Sequence, residues 1–187
     1  KRQVRASDYR GRREVQVEWV DARPLALPAA PLRPPRPPIA VVDYRWMPDP
    51  RRMLSDLRAQ VDGLQVWREG GNDISGEDRR GLQPAKALVI WTTPPGLAEL
   101  RAAVERVRPE TIYLFGMDPD VDRLEKFAQR FAGLVKHALS SAGGVASIPA
   151  LAAAAAQREA TARAGLHWLA ARGYITILEE QGDEVRL

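Results

Sequence analysis

The stretch LVIWTTPPGLAELRAAVERVRPETIYLFG, residues 88–116, sets two short apolar runs on either side of an amphipathic dozen. The runs Ala87–Trp91 and Thr111–Phe115 are almost continuously apolar, the mark of strands buried on both faces. Between them Leu97, Leu100, Val104 and Val107 fall three and four residues apart, which gives one apolar stripe on a helix over Gly96–Val107. Pro109 stops that helix. A strand, a helix and a second strand in about thirty residues form the repeating unit of a parallel sheet.

Working outward, the same alternation begins at Ile39. It predicts a strand at Ile39–Tyr44, a helix at Pro50–Val61, a strand at Leu64–Trp67 and a polar loop over Arg68–Gln83. The fold class is therefore α/β: a small Rossmann-like parallel sheet over residues 39–117, covered by helices on both faces.

After Asp118 the pattern changes. Asp118 and Pro119 suit the cap and first position of a long helix whose stripe is Leu124, Phe127, Phe131, Leu134, Val135 and Ala138, ending at Gly143-Gly144. Ser147 caps an Ala-rich helix over Ala150–Ala156. A third helix spans Arg158 to Arg172, with Leu166 and Leu169 inward and Gly173 at its end. Strands at Tyr174–Leu178 and Glu184–Leu187, joined through Glu180-Gln181-Gly182-Asp183, complete a winged-helix module over residues 118–187.

Upstream, PLALPAAPLRPPRPP at residues 24–38 is proline-rich and reads as a semi-rigid spacer. Before it, Val15, Val17 and Trp19 alternate with polar residues as in a half-buried strand, so residues 1–23 look like the last hairpin of a small barrel. Severed from its barrel, such a strand is expected to be mobile or to pair with another part of the chain or with a neighbour.

Charge is unevenly placed. The chain carries a net +4, yet residues 1–38 hold nine basic groups against four acidic ones, so the remainder is slightly acidic. Residues 118–187 have eight basic and nine acidic groups, and Glu179, Glu180, Asp183 and Glu184 gather at the wing, where a duplex-binding module would need cations. Gln157, Arg158, Arg163 and Arg172 supply a thin basic face, with Arg158 and Arg163 the candidates for DNA contact.

The chemistry is sparse. There is no cysteine, and His137 and His167 are the only histidines, which leaves carboxylates as the means of holding a metal. Asp43, Asp73 and Asp118, at or beyond predicted strand ends, are candidates for a metal-dependent hydrolase or phosphotransferase. Neither phosphate-binding glycine pattern occurs, and each histidine reads as a partly buried structural residue. No apolar run reaches the length of a membrane span and the opening residues do not read as a leader. The expectation is a cytoplasmic protein with no membrane partner.

Two groups of residues resemble a known family. Tyr9-Arg10-Gly11-Arg12-Arg13, then Val15-Gln16-Val17 and Val20-Asp21-Ala22-Arg23-Pro24, is similar to the segment that closes the oligonucleotide-binding (OB) barrel of the RecJ single-stranded-DNA exonucleases. Residues 88–116, with LEKFAQRFAGLVKHAL and REATARAGLHWLAARGYI, resemble the extra C-terminal region of some bacterial members. The resemblance implies a parent enzyme of DNA repair and recombination that degrades single-stranded DNA from the 5′ end with manganese or magnesium. Its Asp-His-His core motif is absent here, so no catalytic residue, metal ligand or cofactor transfers to this fragment. What transfers is single-strand contact at Tyr9, Arg10, Arg12 and Arg13, an aromatic beside cations. The implied role is a non-catalytic accessory region that docks a helicase or single-strand-binding protein or adds DNA contacts. A winged-helix duplex binder and the carboxylate-metal hydrolase are the rivals.

Overall fold

The computed structural model describes residues 2–9, 12–19, 38–71, 74–121, 123–141 and 143–187. The chain divides into two units, Lys1–Arg36 and Pro37–Leu187. In the first, β1 (Arg2–Tyr9) and β2 (Arg12–Trp19) pair antiparallel, from Arg2 opposite Trp19 to Tyr9 opposite Arg12. Alternation predicted β2. Its partner β1 has only Val4 and Ala6 among polar residues before Tyr9, too weak a pattern to stand out in the sequence. The strand thus finds its partner within the chain. Arg10 and nearly all of the proline-rich stretch lie outside the described residues.

The second unit opens with the expected parallel sheet. Its strands β3 (Ala40–Asp43), β4 (Leu64–Trp67), β5 (Ala87–Thr92) and β6 (Thr111–Met117) lie in the order β3-β6-β5-β4, all parallel. Helix α1 (Pro50–Gln60) carries the chain from one sheet edge to the other, and α2 (Leu97–Val107) joins neighbours β5 and β6. Asp49 caps α1 by accepting from Arg52 N at 3.0 Å, with Pro50 at the first helical position. Every residue of β5 is buried, and its side chains alternate between two cores. Leu88 and Ile90 join Ala103 and Val107 of α2, whereas Val89 and Trp91 join Leu54 and Leu57 of α1. Leu97, predicted as part of the stripe, is exposed, and Ala103 takes its place in the core.

Among the described residues no helix joins β4 to β5. The intervening chain turns back on the sheet, with Glu77 N donating to Val66 O at 2.8 Å and Arg68 N to Glu77 O at 2.9 Å, and this covers the outer edge of β4. Leu82, from the same connection, is buried in the α2-side core. The stretch read as a polar loop is therefore a structural part of the sheet.

The last part runs α3 (Leu124–Ser141), β7 (Val145–Ser147), α4 (Ile148–Ala154), α5 (Glu159–Ala171), β8 (Glu179–Gln181) and β9 (Glu184–Arg186). The three strands form an antiparallel sheet in the order β7-β9-β8. Phe131, Val135, Ile148, Leu151, Leu166 and Val185 meet in one core. Ser147 caps α4 as predicted, its hydroxyl accepting from Ala150 N at 3.4 Å.

Three local expectations are corrected. Helix α3 starts at Leu124 and not near Asp118, because Asp118 Oδ1 accepts from Asp120 N at 2.8 Å and Asp120 takes a left-handed φ of 54°, closing a turn that a helix cannot continue. Leu124 accordingly lies in solvent. Tyr174–Leu178 is not a strand, and the hairpin is built from β8 and β9 around Gly182 at φ 60°. Both histidines are exposed rather than partly buried. No helix among the described residues is long and apolar enough to cross a membrane.

Candidate functional site

In an open parallel sheet the place for a ligand is the crevice beyond the carboxyl ends of the strands. Here that end is formed by Asp43 and Arg45 after β3, Glu69 and Gly70 after β4, Thr92 to Pro95 after β5 and Asp118 after β6. The turn between α4 and α5 lies across much of it. Gly70 N donates to Ala153 O at 3.2 Å, Arg79 Nη2 to Gln157 O at 2.8 Å and Arg158 Nε to Pro95 O at 3.1 Å. Ala156, at φ 50°, is buried within this turn.

The joint is anchored by a buried polar network. Glu69 Oε1 accepts from Trp67 Nε1 at 2.9 Å and from Arg79 Nε at 2.6 Å, and Glu69 N donates to Thr92 Oγ1 at 2.8 Å. A buried carboxylate is tolerated when paired and fully hydrogen-bonded, and these partners supply both conditions. Gly70, at φ 75°, permits the close approach, since a Cβ there would stand 2.8 Å from Ala156 Cβ.

Two hollows remain at this end. One of about 560 Å³ is lined by Arg68, Glu69, Glu77, Asp78 and Arg130, a mixture of charges without one sign. The other, about 440 Å³, is bounded by Thr93, Pro95, Asp118 and Gln157.

Of the predicted carboxylates, Asp43 and Asp118 are each engaged by their own neighbours. Asp43 is held by Arg45, whose Nη2 lies 2.7 Å from Oδ2 and whose backbone N donates to Oδ1 at 3.0 Å. Those hydrogen bonds hold its carboxyl pKa down, to about 2. Asp118 is engaged in its own turn, and Asp73 lies outside the described residues. Among the described residues no three His, Asp or Glu side chains stand where they could hold a metal ion.

Of the residues assigned to DNA contact, Tyr9 falls at the end of β1 opposite Arg12, and Arg12 and Arg13 open β2. Arg158 sits at the N-cap of α5, exposed, with Nε donating to Pro95 O. Arg163 points to the hairpin, pairing through Nη1 with Glu180 Oε1 and donating from Nη2 to Gly182 O at 3.0 Å. His167 Nε2 stands 3.1 Å from the other oxygen of Glu180. The remaining exposed face of α5 shows Glu159, Ala160, Ala164, Trp168 and Ala171, which offers little to a phosphate backbone.

Sequence reasoning passed over Glu69 and Arg79, because a lone acid and a lone arginine in a polar stretch look like solvated residues until the fold brings them together. It also passed over Ala128, Ala132 and Ala164. Small residues on helix surfaces carry no signal of their own. No protein-family model matches the chain, and a search of curated proteins returned no match.

Proposed function

We propose that this chain is the non-catalytic C-terminal accessory region of a RecJ-like single-stranded-DNA exonuclease, and that its second unit is a protein-docking body made of a Rossmann-like sheet and a winged helix. The observation that carries the reading is the seating of the α4–α5 turn across the carboxyl end of the sheet, where an α/β enzyme would keep its reacting groups. The order α3, β7, α4, α5, β8, β9 and the sheet order β7-β9-β8 support the winged-helix reading.

Docking to protein is favoured over duplex DNA by charge. Glu179, Asp183 and Glu184 are exposed on the hairpin, and Arg163 is neutralised by Glu180, so the surface a duplex would meet is acidic. In the parent enzyme, manganese or magnesium would be held by the catalytic core and single-stranded DNA by the barrel. A helicase or single-strand-binding protein fits the docking role.

The test is a nuclease assay of the purified chain on 5′-labelled single-stranded oligonucleotides with manganese. No cleavage is expected, whereas the same chain joined to an upstream Asp-His-His core should cleave. Cleavage by the chain alone would overturn the accessory reading.

A further inference from the structure

The helical half has an apolar groove that nothing in the chain's described residues fills. It lies between α3 and α5 as two adjoining hollows of about 460 Å³ and 410 Å³ that share Ala128, Trp168 and Leu169. Along its rim Leu124 is 72% exposed, Trp168 46% and Tyr174 69%. Side chains of this kind gathered in one patch mark an interaction surface.

We infer that this groove takes an amphipathic α-helix of a partner protein, lying antiparallel to α3 with an acidic N-terminal end. The inference deepens the docking reading above and rests on it. Three observations choose the occupant. The two long walls are helices whose backbone groups are already bonded within α3 and α5, and only Tyr174 and Ile175 at one end lie outside them, so along most of the groove an extended peptide would bury N–H and C=O groups with no partners, whereas a helix brings its own satisfied. Ala132 and Ala164 on the surface, with Gly165 beneath, present small side chains that let a third helix approach closely.

Charge then sets the direction. Glu125 lines the end near the start of α3, while Lys136 lines the other end and the Arg172 guanidinium lies 5.3 Å over the Trp168 ring. A helix with acids at its N-terminus and bases at its C-terminus, the arrangement its own dipole favours, matches this groove when it runs antiparallel to α3. From Leu124 to Leu139 the groove is about 22 Å long, which calls for about fifteen residues of helix. With Glu125 at one end, Lys136 at the other and Arg172 over the Trp168 ring, a nucleic acid strand finds no continuous basic track among the described residues.

The experiment titrates the full chain into a fluorescent designed peptide of about fifteen residues, with leucines at helical spacing, glutamates at its N-terminus and lysines at its C-terminus. Binding is expected in the micromolar range, weakened about tenfold or more by Ala132→Arg or Ala164→Arg and severalfold by Lys136→Glu. Both alanines are exposed, and an unchanged melting temperature will show that the variants fold. A proline-interrupted peptide of the same composition should bind at least tenfold more weakly. Equal binding by that peptide or by Ala164→Arg, or no binding at millimolar peptide, would overturn the inference. So would displacement of the peptide by single-stranded DNA, or a dimer of the chain that Ala132→Arg dissociates. Failure here leaves the nuclease assay untouched, and cleavage there leaves the groove measurement standing, so the two readings fail separately.

Discussion

Glu69 and Arg79 form a buried ion pair at the carboxyl end of the parallel sheet, their side chains 2% and 13% exposed, and the same arginine reaches Gln157 O in the α4–α5 turn at 2.8 Å. The pair does two things together. It satisfies a carboxylate buried two residues beyond β4, and it ties the sheet to the helical half. The Trp67 indole also donates to that carboxylate while Thr92 holds the Glu69 backbone, so little of its charge is left to attract a ligand.

Breaking this pair from one side should therefore cost far more than removing it whole. Arg79→Met is expected to lower unfolding free energy by about 3–5 kcal/mol, because it strands a buried carboxylate. The double change Glu69→Gln with Arg79→Met should cost much less than the sum of the single changes. Urea denaturation of the four proteins gives the coupling, and additive losses would refute it.

Two helix glycines should respond in opposite directions to alanine. At Gly165 of α5 a Cβ would stand 2.7 Å from the ring of Phe131, which is buried in the core, whereas at Gly133 of α3 nothing lies within 4 Å. Alanine raises helix propensity by about 1 kcal/mol at either site. At Gly165 the overpacking of about 1–3 kcal/mol outweighs that gain, so Gly165→Ala should melt lower and Gly133→Ala higher. Thermal melts of both proteins decide it.

The Asp43 carboxyl should titrate at about 2 rather than at the ordinary 3.8, because Arg45 donates to its charged form. Its folded value is depressed, so the pair's contribution to stability is complete above pH 3.8 and is lost as pH falls towards 2. An NMR titration of the Asp43 carboxyl carbon checks this, and Arg45→Ala, which removes the guanidinium but keeps the backbone N–H, should raise the midpoint part of the way towards the ordinary value.

Arg163 holds the β8–β9 hairpin through Glu180 and Gly182 O, and α5 contributes no other arginine there. Arg163→Ala should leave the core intact and speed amide exchange in β8 and β9 severalfold, since the strands are short and otherwise exposed. Binding of duplex DNA should be weak and unchanged by the substitution. A large loss of affinity would show that the arginine reads DNA after all.

Most of the architecture was legible because it rests on local pattern. The apolar runs of β4, β5 and β6, the stripe of α2 and the cap at Ser147 each state their own structure within a dozen residues. Errors arose where a local signal had two meanings. Asp118-Pro119 suits a helix start and a turn alike, and the left-handed Asp120 selects the turn. The branched run Tyr174–Leu178 suits a strand, yet it lies beside the core, with Ile175 and Ile177 packed against it, while the more polar Glu179–Gln181 forms the ladder.

The linear pattern was enough for the element types, the parallel sheet and the location of the net positive charge, because strand and helix periods and formal charge are properties of neighbours along the chain. The joint and the groove were beyond it. Glu69 meets Arg79 ten residues away, and Arg79 then meets Gln157 across 78 residues. Ala132 and Ala164 matter because α3 and α5 pack side by side, and no sequence period records which of two helix surfaces is left uncovered once a core has closed.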